Sequence, residues 1–434
     1  MNAEGTPSGL GARSAAHELL AAVLRQHQSL DDALEQSTAM AALAPRDRAL
    51  ARLIVATCLR RLGQIDRVLG QLLDHPLPPR ATLTHDALRI GAAQLLFLDT
   101  PPHAAVGTAV ALISGRHAVY RGLVNAVLRR VGRDGPALLA KTSTLDNLPA
   151  WLRESWVAAY GESVTSEIAD ALMADPPLDL TLKSGDPTAW AAILDAQTLP
   201  TGTLRRTAGG APSQLPGFND GAWWVQDAAA TLPVKLLGDV AGGAVIDLCA
   251  APGGKTAQIA ASGARVIAVE RSVQRARRLG LNLERLGLAA EIVVADAAVW
   301  TPAVLAARVL LVAPCSATGT ARRNPDVLHL KTREDLERLL AIQARLLDAA
   351  AAMTARGGLL VYCVCSLQPE EGPAQITAFL ERERRFVRMP VAAAEIGGLG
   401  ECIDARGDLR TLPSHLAPRG GLDGFYAARL IRTG

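Results

Sequence analysis

Apolar residues recur at helical spacing through the first third of the chain. Intervals of three and four residues separate them, which places them on one face of an α-helix. One such group is Ala15, Leu19, Leu20, Val23 and Leu24. The same spacing returns in residues 47–62 and 85–98. Because no strand-like pattern interrupts residues 13–133, we predict an all-α domain and assign it to residues 1–141.

The second half of the chain alternates short apolar runs with helical patterns. The runs lie at residues 244–248, 265–269, 291–294, 309–312 and 358–364. The helical patterns between them include residues 274–286 and 333–353. Strands that alternate with helices are typical of a parallel, doubly wound sheet. We therefore predict an α/β, Rossmann-like domain over residues 220–434.

The residues between these two regions have a mixed pattern. Residues 178–182, Leu-Asp-Leu-Thr-Leu, alternate apolar and polar side chains as a half-buried β-strand does. We assign residues 142–219 to a small α+β linking module. The prediction is thus a multidomain protein, as expected for 434 residues, because single cores rarely grow beyond about 300 residues.

Composition and charge narrow the function classes. The chain contains no run of eighteen apolar residues, and residues 1–14 lack the apolar core of a secretory signal. We expect a cytoplasmic monomer with no membrane partner. The formal net charge is only +3, but residues 1–141 contain sixteen Lys and Arg against eleven Asp and Glu. This basic excess is nearly all arginine, whose guanidinium group forks onto phosphate oxygens.

The six cysteines form no metal-binding pattern. They are Cys58, Cys249, Cys315, Cys363, Cys365 and Cys402. None forms a C-x-x-C pair, and the eight histidines do not fall at zinc-ligand spacing near them. We expect no metal and, without an export signal, no disulfides.

Residues 247–256, Asp-Leu-Cys-Ala-Ala-Pro-Gly-Gly-Lys-Thr, join the first predicted strand of the α/β domain to a helix. Adjacent glycines let the backbone approach a ligand, and a helix N-terminus offers free amide donors. A P-loop would need glycine where Cys249 stands, and the dinucleotide fingerprint G-x-G-x-x-G is absent. The remaining interpretation is a ligand with a carboxylate and a nucleoside but no pyrophosphate.

Acidic residues end the next two predicted strands. Glu270 ends the second, where doubly wound folds set an acid against ribose hydroxyls. Asp296 ends the third and is a candidate partner for an adenine amine. Either acid taken alone could instead be a helix cap. Two acids at successive strand ends after a glycine loop favour the nucleoside interpretation.

Two cysteines follow the fourth and fifth predicted strands. Cys315 stands in Ala-Pro-Cys-Ser, and Cys365 stands in Tyr-Cys-Val-Cys-Ser. Doubly wound folds bind their ligands at the carboxyl ends of the strands. A thiolate there can add to C6 of a cytosine and make C5 able to accept a methyl group, while a second group helps release the thiol. Cys363, two residues before Cys365, is expected to pack inside the sheet.

The chain closely resembles the nucleolar-protein/Sun (NSUN-type) family of RNA cytosine-5 methyltransferases, and above all the bacterial members that methylate small-subunit (16S) ribosomal RNA. The matching motifs lie at residues 225–228, 250–256, 314–319, 322–326, 365–371 and 423–427. Residues 13–133 are similar to the NusB-like RNA-binding domain. The resemblance covers nearly the whole chain. It implies a NusB-like helical domain, a Rossmann-like methyltransferase domain, S-adenosyl-L-methionine as cofactor and ribosomal RNA as partner.

The resemblance also implies roles for single residues. Cys365 matches the nucleophile, and Cys315 matches the second cysteine, which assists release of the product. The residues implied to contact the cofactor are Cys249, Ala250, Ala251, Pro252, Gly253, Gly254, Lys255, Glu270 and Asp296. Arg275 stands where the family commonly has an arginine, but a solvated helix face explains it equally well. We therefore leave Arg275 outside the predicted site.

Two positions depart from the family's motifs. Val312 replaces the aspartate of Asp-Ala-Pro-Cys-Ser, which would bond to the target cytosine, and Val364 replaces the threonine of Thr-Cys-Ser. These valines motivate an alternative function, an rRNA-binding or assembly protein of the same fold with impaired catalysis. A methyltransferase that acts on protein or on a small molecule fits the paired cysteines and the helical domain poorly.

Overall fold

A computed structural model describes residues 9–208 and 210–434 of the chain. Part of the expectation about an export signal concerns residues 1–8, which lie outside the described residues. None of the helices in the described parts of the chain is long and apolar enough to span a membrane.

The described residues form two compact units. The first contains the residues up to 173 together with 323–331, and the second contains residues 174–322 and 332–434. The finer division into three domains, with boundaries after residues 141 and 219, remains a proposal.

The first unit is helical, as the sequence predicts. Its helices from the first part of the chain are α1 (Leu10–Gln26), α2 (Leu30–Gln36), α3 (Thr38–Ala42), α4 (Pro45–Arg60), α5 (Leu62–Leu72), α6 (Thr82–Phe97), α7 (Pro102–Leu112), α8 (Arg121–Leu139) and α9 (Ala150–Leu172). The predicted apolar face around Leu19 and Val23 is buried in their common core. Helix α2 begins after Ser29, whose hydroxyl accepts from the backbone N–H of Asp32 at 3.2 Å.

A short segment from much later in the chain belongs to the same unit. Residues 323–331 contain helix α14 (Val327–Leu330). Asp326 Oδ2 accepts from the backbone N–H of Leu30 at 2.9 Å. His329 Nε2 lies 2.9 Å from the carbonyl oxygen of Leu59. A four-residue helix leaves no periodic pattern in the sequence, so this association was not predictable from periodicity.

The second unit begins with a small antiparallel sheet. Its strands are β1 (Leu178–Leu182), β2 (Gln197–Thr198), β3 (Leu204–Arg206) and β4 (Trp223–Val225), in the order β2-β3-β1-β4. Helices α10 (Pro187–Leu194) and α11 (Ala228–Lys235) accompany it. The strand predicted at residues 178–182 is therefore confirmed. Leu180, Leu204 and Trp223 form its buried core.

The larger sheet follows and contains eight strands. They are β5 (Ala244–Leu248), β6 (Arg265–Glu270), β7 (Glu291–Val294), β8 (Ala306–Val312), β9 (Thr354–Val364), β10 (Phe386–Arg388), β11 (Leu409–Thr411) and β12 (Phe425–Arg432). The order is β10-β12-β9-β8-β5-β6-β7, and β11 pairs with β12. The helices are α12 (Gly254–Ala261), α13 (Val273–Leu286), α15 (Arg333–Met353) and α16 (Gln375–Arg382). This arrangement confirms the Rossmann-like α/β class.

The five predicted strands, β5 to β9, are parallel, but the sheet as a whole is mixed. Strands β10, β11 and β12 are antiparallel and extend the β9 edge. The sequence analysis missed them for two physical reasons. β10 and β11 are three residues long. The first six residues of β12 are all buried, so β12 lacks the polar alternation of a half-exposed strand.

Parallel strands bring their carboxyl ends to one edge of the sheet. β5 ends at Leu248, β6 at Glu270, β8 at Val312 and β9 at Val364. β7 ends at Val294, so Asp296 lies two residues beyond the strand rather than at its end. The loops after these strands contain the chemistry-bearing residues.

Candidate active site

The turn after β5 has the backbone shape that the glycine pattern predicts. Gly253 has φ +102° and is the N-cap of α12. A side chain there would be strained by this dihedral angle, and its Cβ would come within 3.1 Å of Leu279. Cys249 also adopts a left-handed conformation, with φ +61°. The turn therefore leaves the strand sharply and directs the N-terminus of α12 to the carboxyl edge of the sheet.

One pocket at this edge is lined by Cys249, Glu270 and Asp296, which the sequence predicts to bind the cofactor. Glu270 is buried, and its Oε1 accepts from the backbone N–H of Ser272 at 3.0 Å. Its other oxygen, Oε2, is buried without a hydrogen-bond partner. The Arg275 guanidinium lies 3.5 Å from Oε2, and ribose hydroxyls would supply the hydrogen-bond donors that this buried oxygen lacks. These groups are chemically suited to a nucleoside, and binding of S-adenosylmethionine in this pocket stays a prediction.

The second acid, Asp296, makes a local hydrogen bond with one of its oxygens. Asp296 Oδ1 accepts from the backbone N–H of Ala298 at 2.9 Å, which is the local capping role that an acid at this position often has. Both residues line the pocket, together with Ile342 and Leu346 of α15. The apolar side chains provide a surface for a flat base, and the carboxylate can accept from an amine at its edge.

Arg275 is a pocket residue that the sequence analysis left out. Its guanidinium donates to the carbonyl oxygen of Ala251 at 2.7 Å and lies 3.5 Å from Glu270 Oε2. It lines the pocket, although its side chain is 56% exposed. Arg275 therefore connects the glycine turn to Glu270. The available signal was its position in the first turn of the helix that follows Glu270.

The remaining predicted cofactor residues lie elsewhere around the turn. Ala250 and Ala251 are buried in the apolar cluster on that side of the sheet. Pro252, Gly253 and Gly254 line a separate cavity of about 230 Å³. Lys255 Nζ lies 5.0 Å from the centre of the Phe425 ring. Contact between these residues and the cofactor stays a prediction.

The two predicted catalytic cysteines lie together. Cys315 follows β8 and Cys365 follows β9, and their Sγ atoms are 3.6 Å apart. Gly319 N–H donates to the carbonyl oxygen of Cys365 at 3.1 Å, and Gly424 N–H donates to that of Gly319 at 2.8 Å. A Cβ on Gly319 would come within 1.8 Å of the Gly424 carbonyl oxygen. Only glycine permits this close contact between the Cys315 loop and the residue before β12.

Cys249, Cys315 and Cys363 each have a raised pKa. The hydrogen bond to Cys365, together with burial, raises the pKa of Cys315 well above its usual range. Burial raises the pKa of Cys363 to about 12, and burial with the nearby Glu270 raises that of Cys249 to about 12. These three thiols are protonated at neutral pH. Cys363 is fully buried, which confirms that it packs inside the sheet.

The two valines that depart from the family's motifs face different surroundings. Val312 is half-buried, pairs with Cys363 across β8 and β9, and packs in the same apolar cluster as Cys365. Val364 is buried in the cluster on the other face of the sheet. Val312 thus packs in the cluster of Cys365, whereas Val364 lies in the cluster against which Cys315 packs. In the described residues, no group of three or more His, Cys, Asp or Glu side chains is placed to hold a metal ion.

Comparisons with known proteins agree with this architecture. Residues 234–431 match the family model described as 16S rRNA methyltransferase RsmB/F, and residues 10–133 match the NusB family. The chain is 36% identical over 442 residues to ribosomal RNA small subunit methyltransferase B of Sodalis glossinidius, covering 97% of each chain. It is 34% identical to the protein of that name from Erwinia tasmaniensis, covering 97% of this chain and 98% of the relative.

The fold as a whole also has a solved counterpart. The crystal structure of PH0851 superposes with a TM-score of 0.76 at 22% identity, covering 100% of both chains. An identity this low supports the fold alone. The near-complete coverage of the curated relatives, at more than a third identity, supports more than the fold. The chain belongs to the RsmB/F family of 16S rRNA methyltransferases, which are S-adenosylmethionine-dependent enzymes.

Proposed function

We propose that this enzyme transfers a methyl group to C5 of a cytosine in small-subunit ribosomal RNA through a covalent bond between Cys365 and C6 of the base. The observation that supports this proposal most directly is the 3.6 Å distance between the Sγ atoms of Cys315 and Cys365. The two thiols lie at the carboxyl edge of the sheet that also contains the pocket lined by Glu270 and Asp296. Nucleophile and methyl donor would thus share one site.

The reaction begins at Cys365. Its thiolate adds to C6, and the electron pair of the C5–C6 double bond becomes available at C5 to attack a methyl carbon. S-adenosylmethionine supplies that methyl group. The C5 proton is then lost to a base, its electron pair restores the double bond, and the Cys365 sulfur leaves C6 with the bonding pair. One methyl group has replaced one proton, and Cys365 is again a thiolate.

Cys315 acts at the release step. The raised pKa keeps its thiol protonated at neutral pH. An S–H group 3.6 Å from the leaving sulfur can hydrogen-bond to the thiolate that forms when Cys365 departs. This bond stabilises negative charge at the moment it develops, so Cys315 accelerates release more than attack.

The RNA would be bound by the helical unit. Arg46, Arg48 and Arg52 are exposed on α4, and arginine is well suited to phosphate oxygens. A base inside a helix hides C6, so the target cytosine must turn out of its stack to reach Cys365. In this proposal residues 1–141 bind RNA, residues 142–219 link the domains, and residues 220–434 perform the transfer.

The test uses 16S rRNA that lacks the modification and contains tritium at C5 of its cytosines. Incubation with methyl-labelled S-adenosylmethionine should release at least as much tritium to water as methyl is incorporated, because methylation at C5 must break that bond. Cys365→Ala should abolish both signals. The matched control Cys363→Ala, two residues away on the same strand, should keep them because Cys363 is buried within the sheet.

The alternatives give different results in the same assay. Methyl incorporation without tritium release would contradict the C5 assignment, and labelled protein instead of labelled RNA would identify a different substrate. RNA binding with neither signal would favour the impaired assembly protein.

A further inference from the structure

A single buried carboxylate accepts hydrogen bonds from both cysteine loops. Glu371 lies six residues after Cys365, in one π-helical turn (Glu370–Ala374), and is fully buried. Its Oε1 accepts from the backbone N–H of Ser316 at 2.8 Å. Its Oε2 accepts from the hydroxyls of Ser316 and Ser366, each at 2.5 Å. Each serine directly follows one of the two cysteines.

The amide of Gln343 completes what we call the Glu371 cluster: Ser316, Gln343, Ser366 and Glu371. Gln343 Nε2 donates to Glu371 Oε1 at 3.0 Å and to the carbonyl oxygen of Pro314 at 2.9 Å. All these donors are neutral, so the buried charge is stabilised by hydrogen bonds from neutral groups. Burying a carboxylate is costly unless hydrogen bonds compensate it, and four donors bond to the Glu371 carboxylate.

The cluster joins the two loops next to the sulfur atoms. The hydroxyl oxygens of Ser316 and Ser366 are 3.0 Å apart, and the backbone N–H of Leu367 donates to Thr318 Oγ1 at 3.0 Å. Since both serine protons point to Glu371, removing the carboxylate would leave both hydroxyls and one backbone N–H without their common acceptor. The loops would then lose the contact nearest to Cys315 and Cys365.

We propose that Glu371 is a positioning residue that fixes the distance between the Sγ atoms of Cys315 and Cys365 by binding both cysteine loops. The expected loss of methyl transfer rests on the proposed function, whereas the distance between the two sulfur atoms does not. Glu371 would act through the serine that follows each cysteine.

The charge of Glu371 influences the pKa of Cys315, and a loss of packing alone would not remove that influence. The pKa of Cys315 is raised by its hydrogen bond to Cys365 and by burial, and the Glu371 carboxylate raises it further. Replacing the carboxylate with a neutral amide removes one stabilising influence on the protonated thiol. The pH at which Cys315 begins to react with iodoacetamide should therefore fall in Glu371→Gln and return upward in Glu371→Asp.

The experiment compares Glu371→Gln, Glu371→Asp and the control Glu381→Gln, an exposed acid on α16. Diamide oxidises two adjacent thiols to a disulfide, and its N=N bond takes up the two electrons and two protons. The rate at which the Cys315–Cys365 disulfide forms is measured by peptide mass spectrometry. Divided by the thiolate fraction that the iodoacetamide titration gives at the same pH, it reports the proximity of the sulfurs. The same proteins are assayed for methyl transfer, with KM for S-adenosylmethionine and kcat separated.

We expect Glu371→Gln to slow disulfide formation several-fold and to lower kcat by about a hundredfold, the scale of a misplacement of about 1 Å. KM for S-adenosylmethionine should stay unchanged because the pocket of Glu270 and Asp296 is built from other residues. Glu371→Asp should restore part of both rates, and Glu381→Gln should match the wild type.

Unchanged disulfide formation in Glu371→Gln would overturn the proposal, whatever happens to activity. If that variant does not fold, Ser366→Ala removes only one of the donors, and an unchanged disulfide rate there has the same meaning. The two proposals can fail separately. If the wild type releases no tritium from C5 but Glu371→Gln still forms the disulfide more slowly than the wild type, the positioning role stands and the proposed function is refuted.

Discussion

The Sγ atoms of Cys315 and Cys365 lie 3.6 Å apart although the residues are fifty positions apart in the sequence. Parallel pairing of β8 with β9 accounts for this, because Val312 lies opposite Cys363 and each cysteine comes shortly after its strand. Two sulfurs at this distance can share one proton, which lets one act as nucleophile while the other stays a thiol.

Removal of the release residue should trap the covalent intermediate. In Cys315→Ala, attack by Cys365 is unimpaired, but no thiol stabilises the departing sulfur. We expect a protein–RNA adduct that survives denaturing electrophoresis with labelled rRNA, whereas the wild type shows little. Cys363→Ala is the matched control and should show as little adduct as the wild type. If Cys315→Ala turns over normally, Cys315 is not the release residue.

Val312 limits the rate in our interpretation of the site. It packs in the same apolar cluster as Cys365, where a carboxylate would hydrogen-bond to the cytosine ring. One such bond in a closed site is worth on the order of 3 kcal/mol, or about a hundredfold in rate. Val312→Asp should therefore raise the initial rate of methyl incorporation.

The second valine provides the control for this experiment. Val364 is buried on the opposite face of the sheet, so Val364→Thr should leave the rate nearly unchanged. Equal rates for Val312→Asp and wild type would mean that the enzyme does not need an acid at position 312.

The sequence was sufficient for the parts of the site that depend on strand ends. Glu270, Cys315 and Cys365 follow apolar runs, and parallel strands must bring such residues to one edge. The Glu371 cluster was not predictable in this way. Gln343 lies 28 positions before Glu371, and Ser316 lies 55 positions before it. No local sequence pattern indicates which serine a buried acid will contact.

The same limit explains two features of the fold. Residues 323–331 belong to the helical unit through single contacts such as that between Asp326 and Leu30, which have no periodic signature. Strand β12 is buried over its first six residues, and a short continuous apolar run does not distinguish strand from helix. Long-range pairing, not local pattern, determines both.

Glu270 should control cofactor affinity. Its buried Oε2 has no hydrogen-bond partner in the protein, which fits a ribose hydroxyl as donor. Glu270→Gln keeps the shape but exchanges a charged acceptor for a neutral one, a loss of about 1.4 kcal/mol. KM for S-adenosylmethionine should rise about tenfold with kcat nearly constant.

The control for this position is Glu291→Gln, an exposed acid at the start of the neighbouring strand β7. A Glu270→Gln enzyme with lowered kcat and unchanged KM would place Glu270 outside the cofactor site.

Asp247 on β5 should make the stability of the protein depend on pH. It is fully buried; Thr256 donates to its Oδ2 at 2.6 Å, and its Oδ1 has no hydrogen-bond partner. Burial raises the pKa of Asp247 from 3.8 to about 6. The folded state therefore binds this proton more tightly than the unfolded state does, so stability falls as the pH rises from about 4 to about 6.

Asp247→Asn removes this titration while its amide oxygen can still accept from Thr256. The melting temperature of the variant should rise relative to that of the wild type between pH 4 and pH 7. The corresponding free-energy difference is at most about 3 kcal/mol, from about 1.4 kcal/mol for each unit of pKa. Any cost of the new buried N–H₂ group is independent of pH, so it shifts the melting temperature of the variant by a similar amount at every pH. A melting-temperature difference that stays constant across this range would contradict the assignment of a raised pKa to Asp247.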